Sequence, residues 1–136
     1  MLHLSLNPSD GLPLYLQLLQ QIKYQIATGR LAPDTELPSV RQLAQQLVIN
    51  PNTVVRAYRE LETAGLIYKK RGAGTFVAER GTPYTDEECR RILTGRIEAL
   101  LVEGRHLGYD AERLVELLRE CDGAMRASES AEVGEA

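Results

Sequence analysis

Apolar side chains recur at helical spacing in the first part of the chain. Residues 13–29 have the pattern of an amphipathic helix that begins at Pro13 and ends at Gly29. The predicted inner stripe of this helix consists of Leu12, Tyr15, Leu16, Leu19, Ile22 and Ile26. Residues 30–38 contain two prolines and are predicted to form a loop.

Two shorter helices with a tight turn between them are predicted next. Ser39 and Gln42 have the spacing of a capping box, which predicts the start of a short helix. Asn50 is a favourable N-cap, and Pro51 suits the first position of a third helix that ends before Gly65. Two short helices at this spacing are typical of a helix-turn-helix.

The apolar pattern changes after the third helix. Residues 66–70 and 75–78 are predicted to form two short strands, and residues 71–74 the turn of a hairpin between them. A helix-turn-helix followed by a hairpin is a winged helix, with the hairpin as the wing. The predicted fold is therefore α+β and mainly helical, with a winged helix-turn-helix domain over residues 10–78.

A short two-helix module is predicted beyond a linker at residues 79–85. Thr85 and Asp110 are placed to cap its helices, which reach about Leu107 and about Met125. Apolar residues repeat at intervals of three and four along both helices. Residues 127–136 are predicted to be a frayed acidic tail.

We expect this module, at residues 86–126, to be a dimerisation module. Two helices over about 40 residues bury little apolar surface alone, so pairing with a second copy is favoured. Packing within one chain only, as a plain helical hairpin, is the alternative. The predicted dimerisation residues are Leu93, Ile97, Leu100, Leu107, Leu114, Leu118 and Cys121.

Composition excludes several classes of protein. Apolar residues make up 43% of the 136 residues, which permits a folded core. No apolar run approaches the ~20 residues that a membrane-spanning helix needs, and no secretory signal is expected. Cys89 and Cys121 form neither a disulfide framework nor a metal knuckle. We therefore expect a cytoplasmic protein with reduced thiols; an interchain disulfide through either cysteine is the alternative.

Enzymatic activity is not expected. No set of ligands at usable spacing predicts a metal, no cofactor is indicated, and no serine or cysteine has a recognisable base partner. No residue pattern identifies a small-molecule effector, so its existence stays open.

Charge is divided unevenly along the chain. Residues 1–80 carry nine Lys and Arg against six Asp and Glu, whereas residues 81–136 carry seven Arg against thirteen Asp and Glu. A basic first part favours a polyanionic partner. The second helix of a helix-turn-helix enters the major groove of DNA with its N-terminal turn. Double-stranded DNA is therefore the predicted partner.

The candidate DNA contacts lie on three predicted elements. Asparagine pairs with adenine, arginine with guanine, and threonine contacts a phosphate or a thymine methyl group. The wing brings cations and flexible glycines to the duplex, where Arg71 is placed to enter the minor groove. The candidates are Arg41, Asn50, Asn52, Thr53, Arg56, Arg59, Lys70, Arg71 and Gly72.

Several motifs carry a resemblance to a known family. They are Leu37-Pro38-Ser39-Val40-Arg41-Gln42-Leu43-Ala44, Asn50-Pro51-Asn52-Thr53-Val54, Ala57-Tyr58, Leu61-Glu62, Gly65-Leu66-Ile67 and Arg71-Gly72-Ala73-Gly74-Thr75-Phe76-Val77. Together they resemble the winged-helix domain of the GntR family of bacterial transcription regulators, over roughly residues 10–78. The helical C-terminal part resembles the YtrA subfamily, which lacks the larger effector domains. The resemblance implies a homodimer on an inverted-repeat operator, usually as a repressor and often near transporter genes.

The same resemblance assigns some DNA contacts and withholds others. Family contacts carry over to Arg41, Thr53, Arg71 and Gly72. Many family members have arginine where Pro51 and Val55 stand, so those base contacts do not carry over.

Other residues of the third helix are expected to take over the base contacts. Asn50, Asn52 and Arg56 are the candidates. A winged helix that binds an acidic protein is the alternative function. Apolar residues on the exposed face of the third helix would mark it, and Val55 is the only one predicted there.

Overall fold

The computed structural model describes residues 2–79 and 83–134, with side chains described as far as residue 131. The chain divides into two compact units, residues 1–84 and 85–136. This division falls within the predicted linker at 79–85. Residues 80–82 of that linker and residues 135–136 of the predicted tail lie outside the described residues.

The first unit is a winged helix. Its elements are α1 (Leu14–Ala27), β1 (Glu36–Leu37), α2 (Val40–Leu47), α3 (Pro51–Thr63), β2 (Ile67–Lys70) and β3 (Gly74–Val77). The antiparallel sheet has the order β1-β3-β2. The second unit contains α4 (Asp86–His106) and α5 (Ala111–Gly134). The α+β, mainly helical fold predicted from the sequence is confirmed.

Local capping defines the ends of the helices around the turn. The Ser39 hydroxyl accepts a hydrogen bond from the Gln42 amide at 3.1 Å, and the Gln42 side chain accepts from the Ser39 amide at 3.0 Å. Gly65 ends α3 with φ +76°. There the Leu66 amide donates to the Leu61 carbonyl at 2.9 Å. This 6→1 bond is typical of a Schellman motif, which directs the chain from α3 into the wing.

The tight turn between α2 and α3 depends on an unusual residue. Val48 adopts the left-handed conformation, with φ 55° and ψ 53°. The Ile49 amide donates to the Ala44 carbonyl at 3.1 Å, which completes the turn. A branched side chain in this conformation costs about 1–2 kcal/mol, so tertiary packing has to maintain the turn.

The loop predicted over residues 30–38 contains strand β1, which corrects the prediction. The Val77 amide donates to the Thr35 carbonyl at 2.9 Å, and the Asp34 amide donates to the Val77 carbonyl at 2.8 Å. Glu36 pairs with Phe76 in the ladder. A two-residue strand has no periodicity of its own, so only its partner strand defines it.

The core shows that the predicted stripe of α1 was incomplete. Leu18, which that stripe left out, is fully buried together with Ile22. Gln17 and Gln25 are also buried, whereas Leu19 is only half-buried. Because α1 carries leucines around most of its circumference, its sequence pattern does not identify a single inner face. The largest fully buried side chains of the unit are Leu18, Ile22, Leu43, Leu61, Leu66, Val54 and Val77.

A segment ahead of the predicted domain start at residue 10 covers a second face of α1. We call residues 2–7 the N-terminal arm. Gln17, Gln21 and Gln25 bind the backbone of Asn7, Ser5 and His3, respectively. The glutamines are four residues apart on α1, which corresponds to a rise of about 6.0 Å. They bind alternate residues of the arm, which are about 6.6 Å apart in an extended chain, so the two spacings match. Leu2, Leu4 and Leu6 pack against the core.

The second unit consists of two long helices joined at a glycine turn. Thr85 caps α4 with a full capping box, and the Asp110 carboxylate accepts from the Arg113 amide at 2.9 Å. Both caps were predicted. Helix α5 continues to Gly134, so residues 127–134, which we expected to fray, are helical.

Candidate nucleic-acid interface

Helix α3 separates the core from a polar surface. Val54, Ala57, Tyr58 and Leu61 form its buried face. Asn52, Arg56 and Arg59 are exposed on the opposite face, as their spacing along the helix requires. This outward row is therefore available to a partner, and it contains two cations and an amide.

The first turn of α3 is already satisfied by local hydrogen bonds. The Asn50 side-chain oxygen accepts from the Asn52 amide at 2.9 Å. The Thr53 amide donates to the Asn50 carbonyl at 3.0 Å, and Pro51 has no amide hydrogen. Bidentate pairing of Asn50 with adenine uses the same oxygen, so this geometry favours a capping role for Asn50. The side chain of Asn52 is exposed and free of this constraint.

Arg56 is held from two sides. Its guanidinium lies over the ring of Tyr15 on α1, with 3.7 Å between Cζ and the ring centroid. Its Nε lies 4.0 Å from a carboxylate oxygen of Glu60, one turn along α3. The side chain is nevertheless 60% exposed. Tyr15 was predicted only as an apolar position, and no signal in the sequence links it to Arg56.

Two grooves flank the outward row. One is an open groove of about 810 Å³ between α2 and the start of α3, which Arg41 and Asn50 line together. The other has about 390 Å³ and lies between α3 and the sheet, with Arg59 and Lys69 in its lining. Lys69 Nζ lies 3.8 Å from the Glu62 carboxylate. Part of the predicted positive charge of the wing is therefore offset by an acidic neighbour.

The tip of the wing is an exposed three-residue turn. Lys70, Arg71 and Gly72 are all exposed, and Gly72 has φ +79°. The Ala73 amide donates to the Lys70 carbonyl at 2.9 Å, which closes the turn. A side chain at position 72 would be strained in this conformation, so glycine gives the wing its shape and exposes its backbone.

The base of the wing is anchored by an aromatic pair. The rings of Tyr68 and Phe76 stack with 5.6 Å between their centroids. The Tyr68 hydroxyl donates to the Asp34 carboxylate at 2.7 Å. This hydrogen bond raises the pKa of Tyr68.

Tyr58 connects α3 to the segment before α2. Its hydroxyl donates to the Pro38 carbonyl at 2.7 Å. Burial raises the pKa of Tyr58, so this hydroxyl stays protonated and keeps donating. Tyr58 is buried in the core, and its hydrogen bond ties α3 to the residue that precedes the Ser39 cap of α2.

The two helices of the second unit expose a second candidate surface. We call these exposed positions of α4 and α5 the apolar seam; they are Leu93, Ile97, Leu100, Leu107, Leu118, Cys121 and Met125. Its large apolar side chains are between 46% exposed, at Leu100, and 71% exposed, at Leu107. Cys121 is exposed and Cys89 is half-buried, and both thiols are free.

Leu114 departs from the predicted seam. It is half-buried, and a Cβ added to Gly104 would lie 2.7 Å from its Cδ1. Gly104 thus permits α5 to approach α4 closely, and Leu114 packs against Gly104 between the two helices of one chain.

Neither a metal site nor a membrane-spanning helix is present in the parts of the chain that the structure describes. Among residues 2–79 and 83–134, no group of His, Cys, Asp and Glu is arranged to hold a metal ion. The same ranges contain no helix with the length and apolarity needed to cross a membrane.

The fold and the exposed arginines of α3 define the class of protein, a winged-helix DNA-binding domain joined to a helical module. Residues 14–77 match the family model described as bacterial regulatory proteins, gntR family. The chain is 34% identical over 117 residues to the HTH-type transcriptional repressor YtrA of Bacillus subtilis, covering 86% of this chain and 90% of that protein. The chain belongs to the GntR family.

Two solved structures agree with this assignment. YtrA from Sulfolobus acidocaldarius, a GntR-family transcription factor, matches with a TM-score of 0.55 and 30% identity over 71% of this chain and 97% of its own. The DNA-binding domain of AraR, solved in complex with its operator ORX1, matches with a TM-score of 0.50 and 32% identity, covering 57% of this chain and 100% of its own. The predicted family and YtrA-like type are confirmed. The family and these relatives are transcription regulators, not enzymes.

Proposed function

We propose that the protein is a sequence-specific repressor that binds an inverted-repeat operator as a homodimer. The outward row of α3 carries this proposal, because Asn52, Arg56 and Arg59 are exposed there while the opposite face is in the core. Val55 is the one aliphatic side chain of α3 that is not fully buried, and it is half-buried. A surface of this composition suits DNA better than an apolar protein partner.

Each part of the interface has a proposed role. Asn52 and Arg56 contact base edges in the major groove, because their amide and guanidinium groups match adenine and guanine. Arg41 and Arg59 contact the phosphates that border this groove. Asn50 contributes mainly by capping α3.

The wing and the remaining side chain of α3 complete the proposed interface. Lys70 binds phosphate, and Arg71 enters the minor groove beside the exposed backbone of Gly72. Thr53 is half-buried, so it contacts a phosphate or a thymine methyl group at the edge of the groove.

The apolar seam supports the proposed homodimer. Full burial of a leucine or isoleucine contributes about 1.5–3 kcal/mol, so covering the exposed half of each side chain contributes about 1 kcal/mol. Four leucines, Ile97 and Met125 take part in each chain, which makes a symmetric pairing favourable. Two winged helices held in one dimer would recognise half-sites about 34 Å apart, or a multiple of that distance.

The test is selection of bound sequences from a random duplex pool with the full chain, at physiological salt. We expect enrichment of an inverted repeat and a complex with two chains per duplex. Ile97→Asp is the matched variant, because it places a charge in the apolar seam and leaves the winged helix unchanged. We expect it to bind one half-site weakly and as a monomer.

Three results would contradict parts of the proposal. Enrichment of single half-sites by the wild-type protein would refute the inverted repeat. Unchanged assembly of the Ile97→Asp variant, measured by sedimentation, would refute the seam as the dimer interface. A folded dimeric protein that enriches no sequence would refute sequence-specific binding and favour the acidic protein partner.

A further inference from the structure

We propose that Tyr15 is a positioning residue for DNA recognition, which holds the Arg56 guanidinium in place before DNA arrives. This inference rests on the proposed function. It concerns a residue of α1, outside the helix-turn-helix and the wing. The contact that supports it is the stacking of the Arg56 guanidinium on the Tyr15 ring, with 3.7 Å between Cζ and the ring centroid.

Stacking leaves the guanidinium able to bind DNA. The ring of Tyr15 occupies one face of the planar group, whereas bidentate pairing with guanine or phosphate uses the N–H bonds at its edge. Glu60 approaches only Nε, at 4.0 Å. The terminal nitrogens of Arg56 therefore remain available, and the side chain is 60% exposed.

The contact with Tyr15 favours DNA binding because it preorganises the Arg56 side chain. A free arginine side chain has many rotamers, and fixing it on binding opposes complex formation. The attraction between the cation and the aromatic face limits those rotamers in the free protein. Arg59 is the useful comparison, because it is exposed on the same face of α3 and belongs to the groove on the sheet side.

A double-mutant cycle on the selected duplex, measured with the full chain, tests this role. We expect Tyr15→Leu to weaken binding about two- to fivefold, the range of a cation–π interaction at an exposed site. In the Arg56→Ala background the same change should have no further effect. In the Arg59→Ala background its full effect should remain.

Two aromatic variants separate positioning from other roles. Tyr15→Phe keeps the ring, so binding should stay within twofold of wild type, and Tyr15→Trp should bind at least as well because tryptophan is the best cation–π partner. Tyr15→Leu should also relax base preference at the position that Arg56→Ala relaxes. A purely structural role for Tyr15 would not change base preference at one position.

Failure of the positioning role can be distinguished from failure of the proposed function. If the wild-type protein enriches no sequence, the proposed function fails first. If it binds and Tyr15→Leu weakens binding equally with and without Arg56, the positioning role is refuted. A loss of binding in Tyr15→Phe as large as in Tyr15→Leu would also refute it, because the hydroxyl would then be the contact. Circular dichroism at the assay temperature verifies that each variant is folded.

Discussion

Gln17 is expected to be a major contributor to the stability of the winged-helix unit, although it is a polar residue on a helix. Its side-chain oxygen accepts from the Asn7 amide at 2.8 Å. Its nitrogen donates to the carbonyls of Asn7 at 2.8 Å and Leu12 at 2.7 Å. The side chain is 6% exposed, so water replaces these bonds poorly once they are lost.

The expected cost of Gln17→Ala follows from those three bonds. Each contributes about 0.5–1.5 kcal/mol net, so their loss should lower the free energy of unfolding by about 2–3 kcal/mol. For a unit of this size that is a fall in Tm of roughly 10–20 °C. Gln20→Ala is the matched control, because Gln20 is exposed on the same helix and gains the same helix propensity.

Urea unfolding followed by tyrosine fluorescence measures this difference. The chain has no tryptophan, and five of its six tyrosines precede residue 85, so the signal reports mainly the first unit. Gln17→Glu should be at least as destabilising as Gln17→Ala, because a carboxylate cannot donate to the two carbonyls. Hydrogen exchange should show faster exchange at the Asn7 amide. A difference between Gln17→Ala and Gln20→Ala below about 0.5 kcal/mol would refute this account of the arm.

Three further predictions concern the two candidate surfaces. Lys70→Ala should weaken binding to specific and random duplexes similarly and reduce the slope of log K against log salt by about one; loss on the specific duplex alone would contradict a phosphate contact. Leu118→Asp should convert the proposed dimer into monomers in analytical ultracentrifugation, since Leu118 is 64% exposed in one chain; an unchanged dimer would place the interface elsewhere. Gly95→Ala should stabilise the second unit by about 1 kcal/mol, whereas Gly104→Ala should lose that gain to a clash with Leu114 that costs about 1–3 kcal/mol. Equal Tm changes for the two glycine variants would contradict the close helix approach.

Most of the winged helix was predictable because the interactions that begin and end its helices are local. The capping box of Ser39 and Gln42, the Asn50 cap and the glycine after α3 each act over two to five residues. Such interactions form with almost the same geometry in any protein that contains them. The known position of the second helix of a helix-turn-helix in the major groove then placed the candidate DNA contacts on these elements. The family motifs supported Arg41, Thr53, Arg71 and Gly72 among them.

Other features depend on residues that are distant in the chain. Strand β1 exists only because β3 pairs with it, and the arm is held by glutamines that lie 10 to 22 residues further along the chain. The side chains of glutamine and arginine have several rotamers of similar energy. Sequence alone therefore does not indicate whether they bind solvent, backbone or a ring.

The sequence by itself determined the order of the elements, the ends of most helices and the polar character of the outward row, because each follows from spacing and local hydrogen bonding. Tertiary structure alone decided which face of α1 is buried, that Leu114 packs within the chain, and that Arg56 lies against Tyr15. Those outcomes depend on which surfaces meet when the elements pack. Which surfaces pack together is a property of the whole fold, so a local sequence pattern does not predict it.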